Sequence, residues 1–267
     1  MAAFREERFS VNGVDAVVLT AGEGEPLVFF HGAGTVTGFD ALLPLAERCR
    51  LIVPNHPGFG LSGDDPSIGS IQDYVRHNLD VLDLLGVEEL SLVGHSLGGY
   101  MAASFAIDQG SRVRSLVLAA PWGMRDVEHP TQDLFTIPDE ELLGWLTADM
   151  SIFEGKISLP PSPEFLAERY RETTSAARIL RERPYDPKLG RWLHRLTMPT
   201  LLLWGDADRL IPAAQAKAWA SFIPGASTKI LPGVGHLLFD ESRDAVAAAG
   251  AFVGAESYSL EPTRWGP

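Results

Sequence analysis

The sequence predicts an α/β fold, a mostly parallel sheet with helices on both faces, on three observations. Short apolar runs bounded by turn residues recur along the chain with helical segments between them, the pattern of strands buried on both faces and joined by crossover helices. The 267 residues are 45% hydrophobic and 21% charged, enough apolar material for one large core, in one domain or one domain with an insertion. Finally, the stretch at 90–100, LSLVGHSLGGY, runs an apolar strand into a glycine-flanked serine and then into a helix.

Taken in order, residues 9–12 and 16–20 read as an opening antiparallel pair around an Asn12-Gly13 turn, a pairing of residue types that suits a tight hairpin. Residues 27–30 form a buried strand ending at His31-Gly32, 39–47 a short helix, 51–54 the next strand, and 71–85 an amphipathic helix closed by Gly86. Residues 90–93 lead to the serine, a helix runs on to about 108, and 115–120 make the sixth strand. From 122 to 197 the rhythm breaks. Prolines, helical stretches at 139–147 and 163–180, and aromatics such as Phe135, Trp145, Phe153 and Tyr170 replace the strand pattern. Alternation resumes with a strand at 200–204, a helix at 213–222, a strand at 228–231 and a helix at 242–252. The expected organisation is therefore a core of residues 1–121 and 198–267 with a helical insertion at 122–197 after the sixth strand. The tail at 254–267, with Trp265, has no clear pattern.

Composition narrows the function classes. Thirty-five acidic residues against 22 basic ones give a formal net charge of −13, which argues against nucleic acid, whose phosphates need clustered Lys and Arg. Cys49 is the single cysteine, so neither an internal disulfide nor a cysteine-based zinc site can form. The N-terminal residues MAAFREERFSVNG hold no long apolar segment, and no run of 18 apolar residues occurs. The expectation is a cytoplasmic, soluble monomer or homodimer that acts on a small molecule without cofactor or metal, and without membrane or nucleic-acid partners.

The chemistry starts from Gly94-His95-Ser96-Leu97-Gly98, a G-x-S-x-G pattern between strand and helix. Such a turn forces the serine into a strained conformation with its hydroxyl exposed at the sheet end, and the glycines keep the crossing backbones clear. Ser96 is thus a candidate nucleophile, and a serine needs a base that is itself held in one tautomer by an acid. Of seven histidines, His236 follows the last strand on the glycine-rich loop Pro232-Gly233-Val234-Gly235-His236, where it can reach a neighbouring strand end. His31 and His95 sit inside turn motifs and read as supports of backbone geometry. The acid falls in Gly205-Asp206-Ala207-Asp208-Arg209, where two carboxylates compete. A pair of N–H donors for a tetrahedral oxyanion is expected from the backbone of Leu97 and from His31-Gly32-Ala33-Gly34, with Ala33 the candidate.

Together these pieces resemble the α/β-hydrolase superfamily, in the group with a helical lid after the sixth strand, over residues 16–253. The matching motifs are His31-Gly32-Ala33-Gly34, Pro57-Gly58-Phe59-Gly60-Leu61-Ser62, Gly94-His95-Ser96-Leu97-Gly98-Gly99, Gly205-Asp206-Ala207-Asp208-Arg209 and Gly235-His236. The order Ser96, Asp, His236 is that of this superfamily, and the resemblance assigns the acid to Asp208, directly before the arginine. Asn55 departs from the aspartate many relatives carry there. Serine at 96 separates the chain from dehalogenases and epoxide hydrolases, for which the resemblance implies an aspartate nucleophile.

The resemblance implies hydrolysis of small or medium carboxylic esters through an acyl-enzyme, with Ser96, His236 and Asp208 as the triad, Ala33 and Leu97 as oxyanion donors, and Trp122, Trp145 and Phe153 of the lid against the substrate. The alternatives are a carbon-carbon bond hydrolase of dienoic acids, with Arg178, Arg181 or Arg183 on the substrate carboxylate, and a triad-bearing ligand receptor. Carbon-carbon hydrolases of this group often have tryptophan after the catalytic histidine, where this chain has Leu237.

Overall fold

The computed structural model describes residues 2–157, 161–181 and 185–255; Arg183 and the tail with Trp265 lie outside the described residues. Strands β1 (Arg5–Val11) and β2 (Val14–Ala21) pair antiparallel around Asn12 and Gly13. Both turn residues have positive φ, 50° and 83°, the twist that two-residue hairpins require. The charged alternation Arg5-Glu6-Glu7-Arg8 extends β1 four residues before the apolar start at Phe9, because an edge strand needs only one buried face.

Next come β3 (Pro26–Phe30), a 3₁₀ segment at Asp40–Glu47, and β4 (Arg50–Pro54). Pro44 inside the segment lacks the N–H that an α-helical ladder would use there. Helix α1 (Ile71–Leu84) is capped by Ser70, whose hydroxyl accepts from the Asp73 amide while the Asp73 carboxylate accepts from the Ser70 hydroxyl. Strand β5 (Leu90–His95) feeds α2 (Leu97–Asp108), which is buried from Leu97 through Ala106, the pattern of a helix inside a core. Strand β6 (Val113–Ala119) precedes α3 (Asp139–Leu146) and α4 (Pro163–Leu180). The chain closes with β7 (Thr200–Gly205), α5 (Gln215–Phe222), β8 (Ser227–Leu231), α6 (Leu238–Glu241) and α7 (Arg243–Ala255). The four-residue α6 is too short to carry a periodic signal, and α5 begins two residues later than the apolar pattern suggests.

The eight strands lie in the order β1-β2-β4-β3-β5-β6-β7-β8. The β1–β2 and β2–β4 pairings are antiparallel and all later ones parallel. Chain progression reverses between β3 and β5, whose register sets Phe30 opposite Gly94. Parallel sheets present their ligand crevice beyond the carboxyl ends of strands at such a reversal, and here that crevice receives the turns after Phe30 and His95. Below it the core is dry: Phe30, Leu92, Val93, Leu116, Val117 and Trp204 are completely buried.

Candidate active site

Ser96 has φ 56° and ψ −119°, a conformation that costs on the order of 1–3 kcal/mol and persists only where the surroundings enforce it. Two hydrogen bonds to the neighbouring strand end enforce it here: the Ser96 amide donates to the Ala119 carbonyl and the Trp122 amide to the Ser96 carbonyl, each at 2.9 Å, and the Ala120 amide in turn ties that strand end to Leu203. A methyl group on Gly98 would sit 2.0 Å from the Phe30 carbonyl oxygen, and one on Gly94 2.4 Å from the Gly98 carbonyl. Glycine is therefore obligatory at both positions.

Ser96 Oγ lies 2.9 Å from His236 Nε2, and His236 Nδ1 lies 2.8 Å from Asp208 Oδ2. The other Asp208 oxygen accepts from the amides of Leu210 and Ile211 at 2.9 and 2.8 Å, so both oxygens are committed and the carboxylate has one orientation. Asp206 takes a different part. Its side chain accepts from the Gly233 amide at 2.6 Å, while its own amide donates to Leu231 and the Ala207 amide donates to Val234. These contacts fasten the loop after β7 to the loop carrying His236. Gly205 permits the crossing, since a Cβ there would lie 2.0 Å from the Val234 carbonyl oxygen.

The remaining histidines at the site are braces. His95 Nε2 is 2.8 Å from the His236 carbonyl oxygen, so it donates there and fixes the backbone of the residue that faces Ser96. Burial, and then the neighbouring His236, push the His95 pKa down to about 3. His31 Nδ1 donates to the Gly32 carbonyl at 2.7 Å while its Nε2 accepts from the His56 amide at 3.1 Å, which sets the first bend of the loop 31–35. Burial holds its pKa down at about 4. Both rings stay neutral, as these roles require.

Ala33 lines the cavity over the triad, and Leu97 follows Ser96 as the first residue of α2. Among the described residues neither N–H donates to another protein group, and Leu97, as the first residue of α2, has no partner within the helix. Gly32 lies so near the serine that a Cβ there would be 3.2 Å from Ser96 Cβ.

A cavity of about 120 Å³ opens over these groups. Trp122 and Phe153 line it, with Leu134, Leu142, Leu143 and Leu146 of the β6–β7 excursion and Phe39, Leu237 and Phe239 of the sheet side. Trp145 does not. Its indole Nε1 bonds to Glu141 one turn away, and its ring carries the Arg209 guanidinium 4.6 Å from the centroid, so a structural stack replaces the substrate contact expected of it. Arg178 is likewise engaged elsewhere, on Asp64, the Asp65 carbonyl and Ser175. The charged residues on the cavity wall are Arg169 and Asp240, neither singled out by the sequence. Asn55 accepts from the Leu61 amide and supports the turn 57–63, away from the triad. Among the described residues no cluster of three His, Cys, Asp or Glu side chains could hold a metal ion, and no helix is long and apolar enough to cross a membrane.

Fold and site together define a hydrolase of the α/β class. A model of the alpha/beta hydrolase family matches residues 27–249, and the chain belongs to that family. Among similar proteins, a 2-hydroxy-6-oxononadienedioate/2-hydroxy-6-oxononatrienedioate hydrolase of Comamonas testosteroni is 26% identical over 257 residues, covering 84% of this chain and 86% of that protein. A 2-hydroxymuconate semialdehyde hydrolase of Pseudomonas putida is 29% identical over 234 residues, covering 80% and 82%. Among solved structures, the serine hydrolase CarC, involved in carbazole degradation, superposes with a TM-score of 0.77 at 24% identity, covering 95% of this chain and all of that one.

Proposed function

We propose that the protein is a serine hydrolase of short, apolar, uncharged carboxylic esters, working through an acyl-enzyme. The observation that carries this reading is the unbroken chain of contacts from Ser96 Oγ through His236 to Asp208 Oδ2, at 2.9 and 2.8 Å, beneath an apolar cavity. In the first half-reaction His236 Nε2 takes the hydroxyl proton as Ser96 Oγ attacks the ester carbon. The amides of Ala33 and Leu97 receive the oxyanion, and His236 returns the proton to the departing alkoxide. Water, deprotonated by the same nitrogen, then releases the acid and restores Ser96. Asp208 keeps the Nδ1 proton in place throughout. The excursion at 122–197 acts as the lid, and its α3 leucines and Phe153 form the acyl wall.

Three features favour esters over dienoic acids. Leu237 stands where the carbon-carbon hydrolases of the group often have tryptophan. The cavity's one cation, Arg169, is already 3.2 Å from the buried carboxylate of Glu172, so a substrate carboxylate would compete for a compensated charge in a poorly solvated site. Size points the same way. An apolar cavity of roughly 150 Å³ takes up benzene, and this one, at about 120 Å³, suits an acyl group of a few carbons. The carbon-carbon reading has its own support in the similarity to the two hydrolases named above.

The two readings separate in one assay series, p-nitrophenyl esters of graded acyl length against a 2-hydroxy-6-oxodienoate. The ester reading expects kcat/KM to peak at short acyl chains and to exceed that on the dienoate by at least tenfold. A dienoate preference of that size would establish the alternative.

A further inference from the structure

Among the described residues two acidic side chains are buried, Asp208 and Glu172. The first belongs to the triad. Glu172 lies on α4, inside the excursion, and is completely buried. Burying an ionised carboxylate is costly unless donors surround it, and four do. The Thr35 amide and the Arg169 guanidinium meet Oε2 at 3.3 and 3.2 Å; the Thr35 hydroxyl and the Gly60 amide meet Oε1, the latter at 3.1 Å. The same helix is sewn to the turn 57–65 by Arg171 on the carbonyls of Gly60 and Ser62 and by Ser175 on Gly58. A Cβ at Gly58 would fall 2.1 Å from Ser175 Oγ, so that turn admits the helix only as glycine.

The consequence concerns the loop 31–35. Its front is fixed by the sheet side, through His31 and through Gly32 against Ser96. Its back, at Thr35, donates two hydrogen bonds to the Glu172 carboxylate. Ala33, whose amide is the proposed oxyanion donor, lies between these two anchors with no hydrogen bond of its own among the described residues. We infer that Glu172 is a positioning residue of the oxyanion hole: its carboxylate, by holding Thr35 and Gly60, sets the direction of the Ala33 amide, so that the helix over the site and the donor beneath it form one unit. This rests on the serine-hydrolase reading. Donors aimed in advance at the developing charge act on the transition state more than on bound substrate, so loss of the brace lowers kcat and leaves KM nearly unchanged.

The test compares wild type, Glu172→Gln and Thr35→Val on the best p-nitrophenyl ester, with circular dichroism and melting temperature as fold controls and fluorophosphonate labelling of Ser96 as a second readout. Glutamine turns an NH₂ group toward a donor and removes the charge opposite Arg169. The expected result is a kcat lowered about 30- to 100-fold, KM within threefold, and labelling slowed in parallel. Thr35→Val, which deletes a single hydroxyl, lowers kcat about tenfold with the same split. A folded Glu172→Gln that keeps kcat within threefold, or that raises only KM, overturns the inference. Should Glu172→Gln fail to fold, unchanged kcat in Thr35→Val overturns it equally. A wild-type protein that neither hydrolyses esters nor labels at Ser96 marks failure of the underlying reading instead.

Discussion

Asp208 and His236 stand 28 positions apart in the chain, and their side chains meet at 2.8 Å in a site where both are almost wholly excluded from solvent. The neighbouring carboxylate of Asp206 reaches the Gly233 amide instead. The two aspartates therefore predict opposite phenotypes. Asp208→Asn disturbs the imidazole tautomer and should lower kcat by roughly four orders of magnitude. Asp206→Asn retains an acceptor for Gly233 and should keep turnover within tenfold, with a small loss of melting temperature. Kinetics and thermal melts on the two purified variants decide it, and a dead Asp206→Asn beside an active Asp208→Asn would reverse the assignment.

The cavity wall predicts where acyl selectivity resides. Phe153 is buried at the cavity, and Phe153→Ala should move the preferred acyl chain two or more carbons longer by opening volume there. Trp145→Ala removes a ring stacked on Arg209 and should leave the ratio of rates on short and long esters unchanged. A shift of that ratio in Trp145→Ala but not in Phe153→Ala would show that the wall has been misassigned.

The turn at Ser96 predicts a stability effect without any chemistry. An alanine methyl at position 98 would lie 2.0 Å from a backbone oxygen of β3, which cannot swing aside as a side chain could. Gly98→Ala should cost about 3 kcal/mol or more, read from urea denaturation. A stability within 0.5 kcal/mol of wild type would mean that the strand and helix separate more easily than the contact implies.

The succession of strands and helices, the turn at Ser96 and both loops of the acid and base were legible in the sequence because each combines a local pattern with an adjacent glycine or turn residue, whereas the order of the strands in the sheet was not read from it. The face of α3 was less so. Its leucines and Trp145 are all large and apolar, and only the position of Arg209 settles which of them turns to the cavity. Glu172 left no signal at all. Within a stretch that reads only as helical, a glutamate looks solvated, and its partners at Thr35 and Gly60 lie 137 and 112 residues away. Arg169 pairs with Glu172 three residues on in the same helix, and its place on the cavity wall follows from how that helix packs over the site. Buried polar contacts between an insertion and its core depend on packing that no local period records.

The buried histidines predict the acid limb of stability. In the folded chain His31 and His95 are held neutral down to about pH 4 and about pH 3, while in the unfolded chain each ring takes up a proton near its ordinary value of about 6.5. Their contribution is complete above pH 6.5 and is lost as the pH falls from there toward the folded values. Each ring gives up to about 1.4 kcal/mol per pH unit, so these two rings alone should lower the unfolding free energy by roughly 2–3 kcal/mol between pH 6 and pH 5. Urea titrations at pH 7, 6 and 5 measure this directly. A flat profile over that range would mean that these rings are protonated without cost in the fold.

The proposed acyl-enzyme forms on Ser96 Oγ. A fluorophosphonate probe, followed by peptide mass mapping of wild type and Ser96→Ala, tests it most directly. The expected outcome is one adduct per chain on the peptide containing Ser96, its disappearance in the folded Ser96→Ala protein, and a parallel loss of ester turnover by several orders of magnitude. A stoichiometric adduct on another residue, or undiminished turnover in Ser96→Ala, would contradict it.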